Sequence, residues 1–141
     1  MKKRGKEEMK NLKTKNYSTF RFREFPVYKD TLKFISEVKS ITRKRFPKFE
    51  LFSLTSQLWR ALDSIVLNIA EGTDKYSKVD FSRFLNQALA SLNEVVACFD
   101  VALENRYINT ETHKELLQKA DNLYRQLKAF SSYVRNSIKS S

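Results

Sequence analysis

The stretch LTSQLWRALDSIVLNIAEGT, residues 54–73, decides the fold class. An advance of about 100° per residue brings six apolar side chains to one face, the pattern of an amphipathic helix: Leu54, Leu58, Ala61, Leu62, Ile65 and Ile69. Trp59, Val66 and Ala70 widen this face along one edge. The predicted helix therefore carries more apolar surface than one core consumes, and what covers these three residues stays open at this point.

Three further helices are predicted on either side of this one. The 141 residues include only 2 Gly and 2 Pro, which favours long helices with short connections. The first runs from about Pro26 to Phe46, and a helix of about 27 residues follows the capping box Ser77–Asp80. Asn109 or Thr110 caps the last helix. The predicted fold is all-α, an antiparallel up-down four-helix bundle over residues 25–141.

The two ends of the 54–73 helix have their own signals. Ser53 suits the cap before the first turn, and Gly72 suits a left-handed residue after the last. We therefore expect the Ser53 hydroxyl to cap this helix and the helix to end at Gly72.

Positive charge is concentrated at the start of the chain. Lys and Arg number 27 against 16 Asp and Glu, a formal net charge of +11. Residues 1–24 carry a net +6 and residues 25–50 a net +4, which leaves +1 for the remaining 91 residues. This asymmetry favours an anionic polymer or a membrane surface as partner over a small acid. Residues 1–24 are expected to form a flexible basic tail.

Three groups of cations are candidate phosphate contacts. The tail provides Lys2, Lys3, Arg4, Lys6, Lys10, Lys13, Lys15, Arg21 and Arg23. The outer side of the first helix provides Lys29, Lys33, Arg43 and Lys44. A stripe on the last helix provides Lys114, Arg125, Lys128, Arg135 and Lys139. Some of these cations have a simpler explanation, since basic residues near a helix C-terminus also favour the helix dipole.

Residues for catalysis are scarce. His113 is the only histidine, and no Glu-x-x-His pair of a di-iron bundle is present. Cys98 lies in an apolar helical run, and glycine-rich nucleotide loops are absent. Six polar residues are instead predicted to form a structural seam between the second and third helices: Gln57, Ser64, Asn68, Glu71, Ser91 and Glu94. We expect a protein that is not an enzyme, without metal or cofactor.

Two stretches of the chain resemble a known family. LTSQLWRALDSIVLNIAEG at 54–72 and SKVDFSRFLNQALASLNEV at 77–95 are similar to the four-helix bundle proteins encoded in intervening sequences of bacterial 23S rRNA genes. The matching residues include the Asn68–Gly72 run and Ser91, Leu92 and Glu94, and the likeness covers about residues 25–136. Trp59 and Asp63 depart from the family pattern.

The resemblance implies an assembly more than an activity. The family is similar to the accessory variability determinant (Avd) of diversity-generating retroelements, a basic bundle that forms a barrel-like pentamer and works with a reverse transcriptase and its template RNA. A homopentamer of this chain would bury Trp59, Val66 and Ala70 between subunits; the alternative is that Trp59 only covers the tail or a loop of its own chain. A reverse transcriptase is then a candidate partner.

Two functions remain open at this point. One is a nucleic-acid-binding module, for RNA in preference to DNA, that contacts phosphates and has little sequence preference. The other is a protein–protein adaptor whose basic face docks a partner enzyme. No segment has the roughly 18 apolar residues of a membrane span, and the N-terminus lacks the pattern of a signal peptide. We therefore expect a cytoplasmic protein without a membrane partner.

Overall fold

The computed structural model describes residues 19–75 and 77–139, with side chains up to Ser137. Four α-helices follow one another: α1 Pro26–Arg45, α2 Leu54–Thr73, α3 Lys78–Glu104 and α4 Thr110–Lys139. Short 3₁₀ turns at Arg21–Glu24 and Lys48–Glu50 precede α1 and α2. The described ranges contain no strand, so the prediction of an all-helical fold with four helices is confirmed.

The helix starts show which capping signals the fold uses. The Ser77 hydroxyl accepts a hydrogen bond from the Asp80 N–H (3.1 Å), and the Asn109 side chain accepts one from the Thr112 N–H (2.8 Å). At α2 the prediction was wrong. The Ser53 side chain makes no capping bond, and the Glu50 carboxylate accepts from the Leu54 N–H (3.2 Å) instead. The turn at 48–50 brings this longer side chain to the free N–H groups of α2.

The core lies along the facing sides of the four helices. Helix α2 packs along α3 and α3 along α4, while α1 contacts both α2 and α4 over fewer residues. At one end of the core, the rings of Phe25 and Phe81 each meet Phe130 edge-to-face, with centroids 5.5 Å apart. Phe25 is fully buried, so the core begins one residue before α1.

The prediction that α2 ends at Gly72 in a left-handed conformation was also wrong. The helix continues through Gly72 to Thr73, and Gly72 does not have a positive φ. A Cβ added at Gly72 would lie 2.7 Å from the Cβ of Phe84 on α3. This distance is far below van der Waals contact, so glycine is needed for the close approach of α2 to α3 and not for a turn.

Residues 19–24 pack against the bundle. The Arg21 guanidinium donates from Nη2 to the Thr73 carbonyl (2.6 Å) at the C-terminus of α2, and it lies 3.8 Å from the Asp74 carboxylate. Phe22 is half-buried and meets the Tyr28 ring edge-to-face at 5.1 Å. Arg21 thus satisfies a carbonyl that the end of α2 leaves without an intrahelical partner.

Candidate nucleic-acid interface

Several cations along the sides of the bundle are paired with acids. Lys39 Nζ lies 2.8 Å from the Asp63 carboxylate and ties α1 to α2, and Lys119 is paired with Glu37 between α4 and α1. On α4, Arg125 Nε lies 3.0 Å from Asp121. Such pairs cancel the field of both charges at distances beyond their separation. These paired cations therefore contribute little net potential.

The C-terminal end of α1 is different. Five exposed cations, which we call the basic end, have no carboxylate partner among the residues that the structure describes: Arg43, Lys44, Arg45, Lys48 and Arg106. Arg106 belongs to the α3–α4 turn, and it lines an open cavity of about 520 Å³ together with Arg45. The fold thus adds a distant arginine to four cations that are close in sequence.

The backbone at Arg106 is unusual. Its φ of 62° lies in the left-handed region. The Arg106 N–H donates to the Leu103 carbonyl (2.9 Å) and the Tyr107 N–H to the Ala102 carbonyl (2.9 Å), which together form a Schellman motif after α3. Glycine is the usual residue at this position of the motif, so an arginine here costs stability. Its charge stands at the solvent-facing end of the bundle.

An acid lies near these cations but is turned toward the protein. Glu50 Oε2 accepts a hydrogen bond from the Tyr107 hydroxyl (2.7 Å), while Oε1 accepts from the Leu54 N–H. The Tyr107 hydroxyl, followed by the Leu54 N–H, lowers the pKa of the Glu50 carboxyl. The same hydrogen bond raises the pKa of Tyr107. Glu50 therefore stays ionised and connects the α1–α2 connection to the α3–α4 turn.

The predicted contacts on α1 fall into two sets. Arg43 and Lys44 belong to the basic end, and Arg43 also lies over the Trp59 ring, 5.2 Å from its centroid. Lys29 lies near the other end of α1, 4.0 Å from Glu24. Lys33 is exposed and lines a groove of about 260 Å³ between α1 and α4. The structure does not bring the four into one patch.

The predicted stripe on α4 is less dense than the sequence suggested. Lys114, Lys128 and Arg135 are exposed, whereas Arg125 is paired with Asp121. The Lys139 side chain lies outside the described residues. Arg23 of the tail is exposed and Arg21 caps α2. The other predicted tail contacts lie outside the described residues: Lys2, Lys3, Arg4, Lys6, Lys10, Lys13 and Lys15.

Half of the predicted polar seam comes together. The Ser64 and Ser91 hydroxyls are 2.8 Å apart across α2 and α3, and Asn68 Nδ2 donates to the Ser64 carbonyl (2.8 Å) and hydroxyl (3.1 Å). The remaining members are exposed and outside this network: Gln57, Glu71 and Glu94. Glu71 instead lies 3.8 Å from Lys75 on its own helix.

Trp59 has partners within its own chain. Its indole N–H donates to the Thr42 hydroxyl (2.9 Å), and Lys39 Nζ lies 5.0 Å from the ring centroid. The ring therefore packs half-buried against α1. Val66 and Ala70 are also half-buried, whereas Leu67 beside them is 63% exposed.

Sequence reasoning missed several residues of the basic end. Arg45, Lys48 and Arg106 were not among the predicted contacts, and neither were Phe49 and Phe52, which are 79% and 91% exposed. The run from Arg43 to Lys48 has four cations and no acid, and this was the available signal. For Arg106 the sequence offered none, since its position depends on the α3–α4 turn.

Groups for chemistry are few and dispersed. Within the described ranges, three or more His, Cys, Asp or Glu residues do not cluster in any arrangement that would hold a metal. His113 Nε2 lies 2.8 Å from the Asp100 carboxylate at the surface. Burial, and secondarily Glu94, raises the pKa of the buried Cys98 thiol, which disfavours the reactive thiolate. No helix in the described part of the chain has the length and apolar character that a bilayer crossing requires.

The fold and the site define a small helical protein with a concentrated positive end. Comparison with family models matches residues 23–129 to the 23S rRNA-intervening sequence protein family. The chain belongs to this family. A crystal structure of a protein of unknown function from the S23 ribosomal protein family of Bacteroides thetaiotaomicron is similar in fold, with a TM-score of 0.68 at 23% identity over 75% of this chain and 95% of that one. No curated protein matches the sequence.

Proposed function

We propose that this protein binds nucleic acid without catalysing a reaction, and that RNA is bound in preference to DNA. The observation that supports this proposal is the basic end, in which five exposed cations have no carboxylate partner among the described residues. The contacts are to phosphates, which give affinity with little sequence preference. The preference for RNA rests on the family resemblance.

The physical argument concerns free charge. A cation that already faces a carboxylate adds little to the attraction of a polyanion, whereas a free cation releases counterions when it reaches a phosphate. Arg43, Lys44, Arg45 and Lys48 lie within six consecutive residues, so several phosphates of one strand are within reach of them together. Binding should weaken steeply as the salt concentration rises.

Assembly strengthens the same argument. We propose an antiparallel up-down bundle that forms a homopentameric barrel, as the resemblance implies, and that works as a scaffold or accessory factor. The packing of each helix on its chain neighbours, together with the contact between α1 and α4, supports this order of helices. Five copies of a chain with net charge +11 multiply the field around a common axis. Light scattering tests the oligomer against the 16.6 kDa single chain.

A salt series with two matched charge reversals tests the binding. The double variant Lys44→Glu/Lys48→Glu changes the basic end, and Lys128→Glu/Arg135→Glu makes the same charge change on α4. We expect affinity for RNA to fall more than about tenfold in the first variant, with a shallower dependence on salt, and less in the second. A wild-type affinity that does not change with salt, or equal losses in both variants, would contradict the proposal.

An adaptor that docks a partner enzyme, such as a reverse transcriptase, is the second candidate. The observation that favours it is exposed apolar surface outside the basic end, with Leu67 63% and Leu32 46% exposed. The double variant Lys44→Glu/Lys48→Glu separates the two functions, because it reverses two free cations of the basic end and leaves Leu32 and Leu67 unchanged. Loss of RNA binding with an intact pull-down of the enzyme favours nucleic-acid binding, and the reverse result favours the adaptor.

A further inference from the structure

The α1–α2 connection carries two aromatic rings in water. Phe49 is 79% exposed and Phe52 is 91% exposed, whereas the nearby Phe46 is 9% exposed. Leu51 between them is half exposed. A folded chain gains nothing from presenting these rings to solvent, so their exposure calls for a partner.

The backbone that carries the rings is held by hydrogen bonds. The Glu50 N–H donates to the Pro47 carbonyl, the Leu51 N–H to that of Lys48, and the Ser53 N–H to that of Glu50, at 3.0–3.1 Å. Phe49 lies in the 3₁₀ turn and Phe52 follows shortly after it, so both rings belong to the segment that these bonds hold. The Phe49 ring also meets the Tyr107 ring edge-to-face at 6.3 Å. The rings are therefore presented by a fixed support.

Cations surround this support. Lys48 belongs to the same connection, Arg45 is the last residue of α1, and Arg106 lies in the turn that carries Tyr107. Single-stranded nucleic acid needs this combination, because its bases are free to stack on aromatic rings while its phosphates pair with neighbouring cations. In a duplex the faces of the bases are stacked on one another, so exposed rings gain no base faces there.

We propose that the basic end binds single-stranded RNA or DNA, with bases stacked on Phe49 and Phe52 and phosphates bound by the surrounding cations. The inference rests on the proposed nucleic-acid binding and adds the strandedness of the ligand. It also assigns two residues that contact bases without reading their sequence, because every base has an aromatic face.

Two other occupants fit the surface less well. An anionic membrane would receive the rings, but the connection offers only Phe49, Phe52 and the half-exposed Leu51 for insertion, much less apolar surface than the face of a membrane-binding amphipathic helix. A second copy that docks through the same surface would bring Arg45, Lys48 and Arg106 against themselves. Like charges in contact oppose such a dimer.

The test compares single-stranded and duplex ligands with three single variants. A labelled single strand of about a dozen nucleotides, within the site size of common single-strand binders, is titrated alone and annealed to its complement. Phe52→Ala removes the most exposed ring, and Phe52→Trp keeps an aromatic face. Phe20→Ala is the matched control, since Phe20 is 58% exposed and lies before the opposite end of α1.

We expect Phe52→Ala to lower single-strand affinity about 5- to 150-fold, the range for rings that stack on bases, and to leave duplex affinity unchanged. Phe52→Trp should restore binding, and Phe20→Ala should match the wild type. Circular dichroism shows whether each variant is folded, which is expected because the Phe52 side chain lies in solvent.

The contrary outcomes separate the two proposals. If Phe52→Ala binds the single strand as the wild type does, stacking is overturned while salt-dependent binding through phosphates stands. If the wild type binds neither ligand, both proposals fail. Loss of binding to vesicles of anionic lipid in Phe52→Ala, with RNA affinity unchanged, would assign the rings to a membrane. A concentration-dependent dimer that Phe52→Ala abolishes, with RNA affinity again unchanged, would assign them to a second copy.

Discussion

Gly72→Ala is the substitution that tests the packing of the fold most directly. The new methyl carbon would lie 2.7 Å from Phe84 Cβ and 3.2 Å from Phe81 Cδ1. The Phe81 ring has freedom to rotate away, but Phe84 Cβ is bonded to the backbone of α3, so the two helices must separate. Overpacking of this kind costs about 1–3 kcal/mol, and we take the upper end because the contact is with an atom next to the backbone.

Helix propensity acts in the opposite direction. Gly72 lies inside α2 with a helical φ, and alanine at such a position gains about 1 kcal/mol over glycine. The expected net change is therefore a loss of about 2 kcal/mol in the free energy of unfolding. For a domain of this size, this loss corresponds to a melting temperature lower by about 6–10 °C.

Urea unfolding followed by circular dichroism measures the effect. The midpoint should fall at an unchanged slope, since the surface exposed on unfolding is the same. Phe84→Gly provides the matched background, because it removes the Cβ that the new methyl group meets. In that background Gly72→Ala should stabilise the protein, and this reversal of sign is the coupling expected of two positions in contact. A rise in stability for Gly72→Ala alone would refute the close approach of α2 and α3.

Three further predictions concern single contacts. The hydrogen bond from Tyr107 lowers the pKa of Glu50 below its ordinary value of 4.5. The stabilisation from this bond is therefore present above pH 4.5 and is lost as the pH falls through the lowered pKa. In urea unfolding at decreasing pH, the stability difference between wild type and Tyr107→Phe should shrink, and a constant difference would contradict this prediction. Arg21→Ala should lower the free energy of unfolding by about 1 kcal/mol because the Thr73 carbonyl loses its donor, while Arg23→Ala should not; equal effects would argue against the cap. Arg106→Gly should raise stability by about 1 kcal/mol by relieving the left-handed strain, and should weaken RNA binding severalfold in the same titration; unchanged binding would remove Arg106 from the site.

Periodicity predicted the helices well because it depends on local spacing. The bounds of α1 and α3 agree with Pro26 and with the Ser77–Asp80 capping box. The failures at Ser53 and Gly72 have a common cause. Both residues carry a strong local preference, but another side chain decided the outcome: Glu50 of the preceding turn at one end of α2 and Phe84 of α3 at the other. Local signals do not include the neighbouring helix.

The candidate site was harder to predict than the fold. Trp59 illustrates the reason, since the pattern showed a second apolar edge on α2 but not what covers it, and α1 packs there. Phe46 and Phe49 also show that the sequence pattern does not say which apolar residues the fold covers. They are three residues apart in one connection, yet one is buried and the other is 79% exposed, because the turn after Pro47 turns the chain away from the core.

The cations of the basic end occupy two kinds of backbone position, and neither kind has an acidic partner among the described residues. Arg43, Lys44 and Arg45 occupy the last turn of α1, where cations favour the helix dipole, so their charge is compatible with stability. Arg106 is different, since its left-handed backbone opposes folding. A position where charge stabilises the helix needs no functional explanation, whereas a strained arginine where glycine would be relaxed does. Arg106 is therefore the residue that most clearly separates a binding role of this end from simple helix capping.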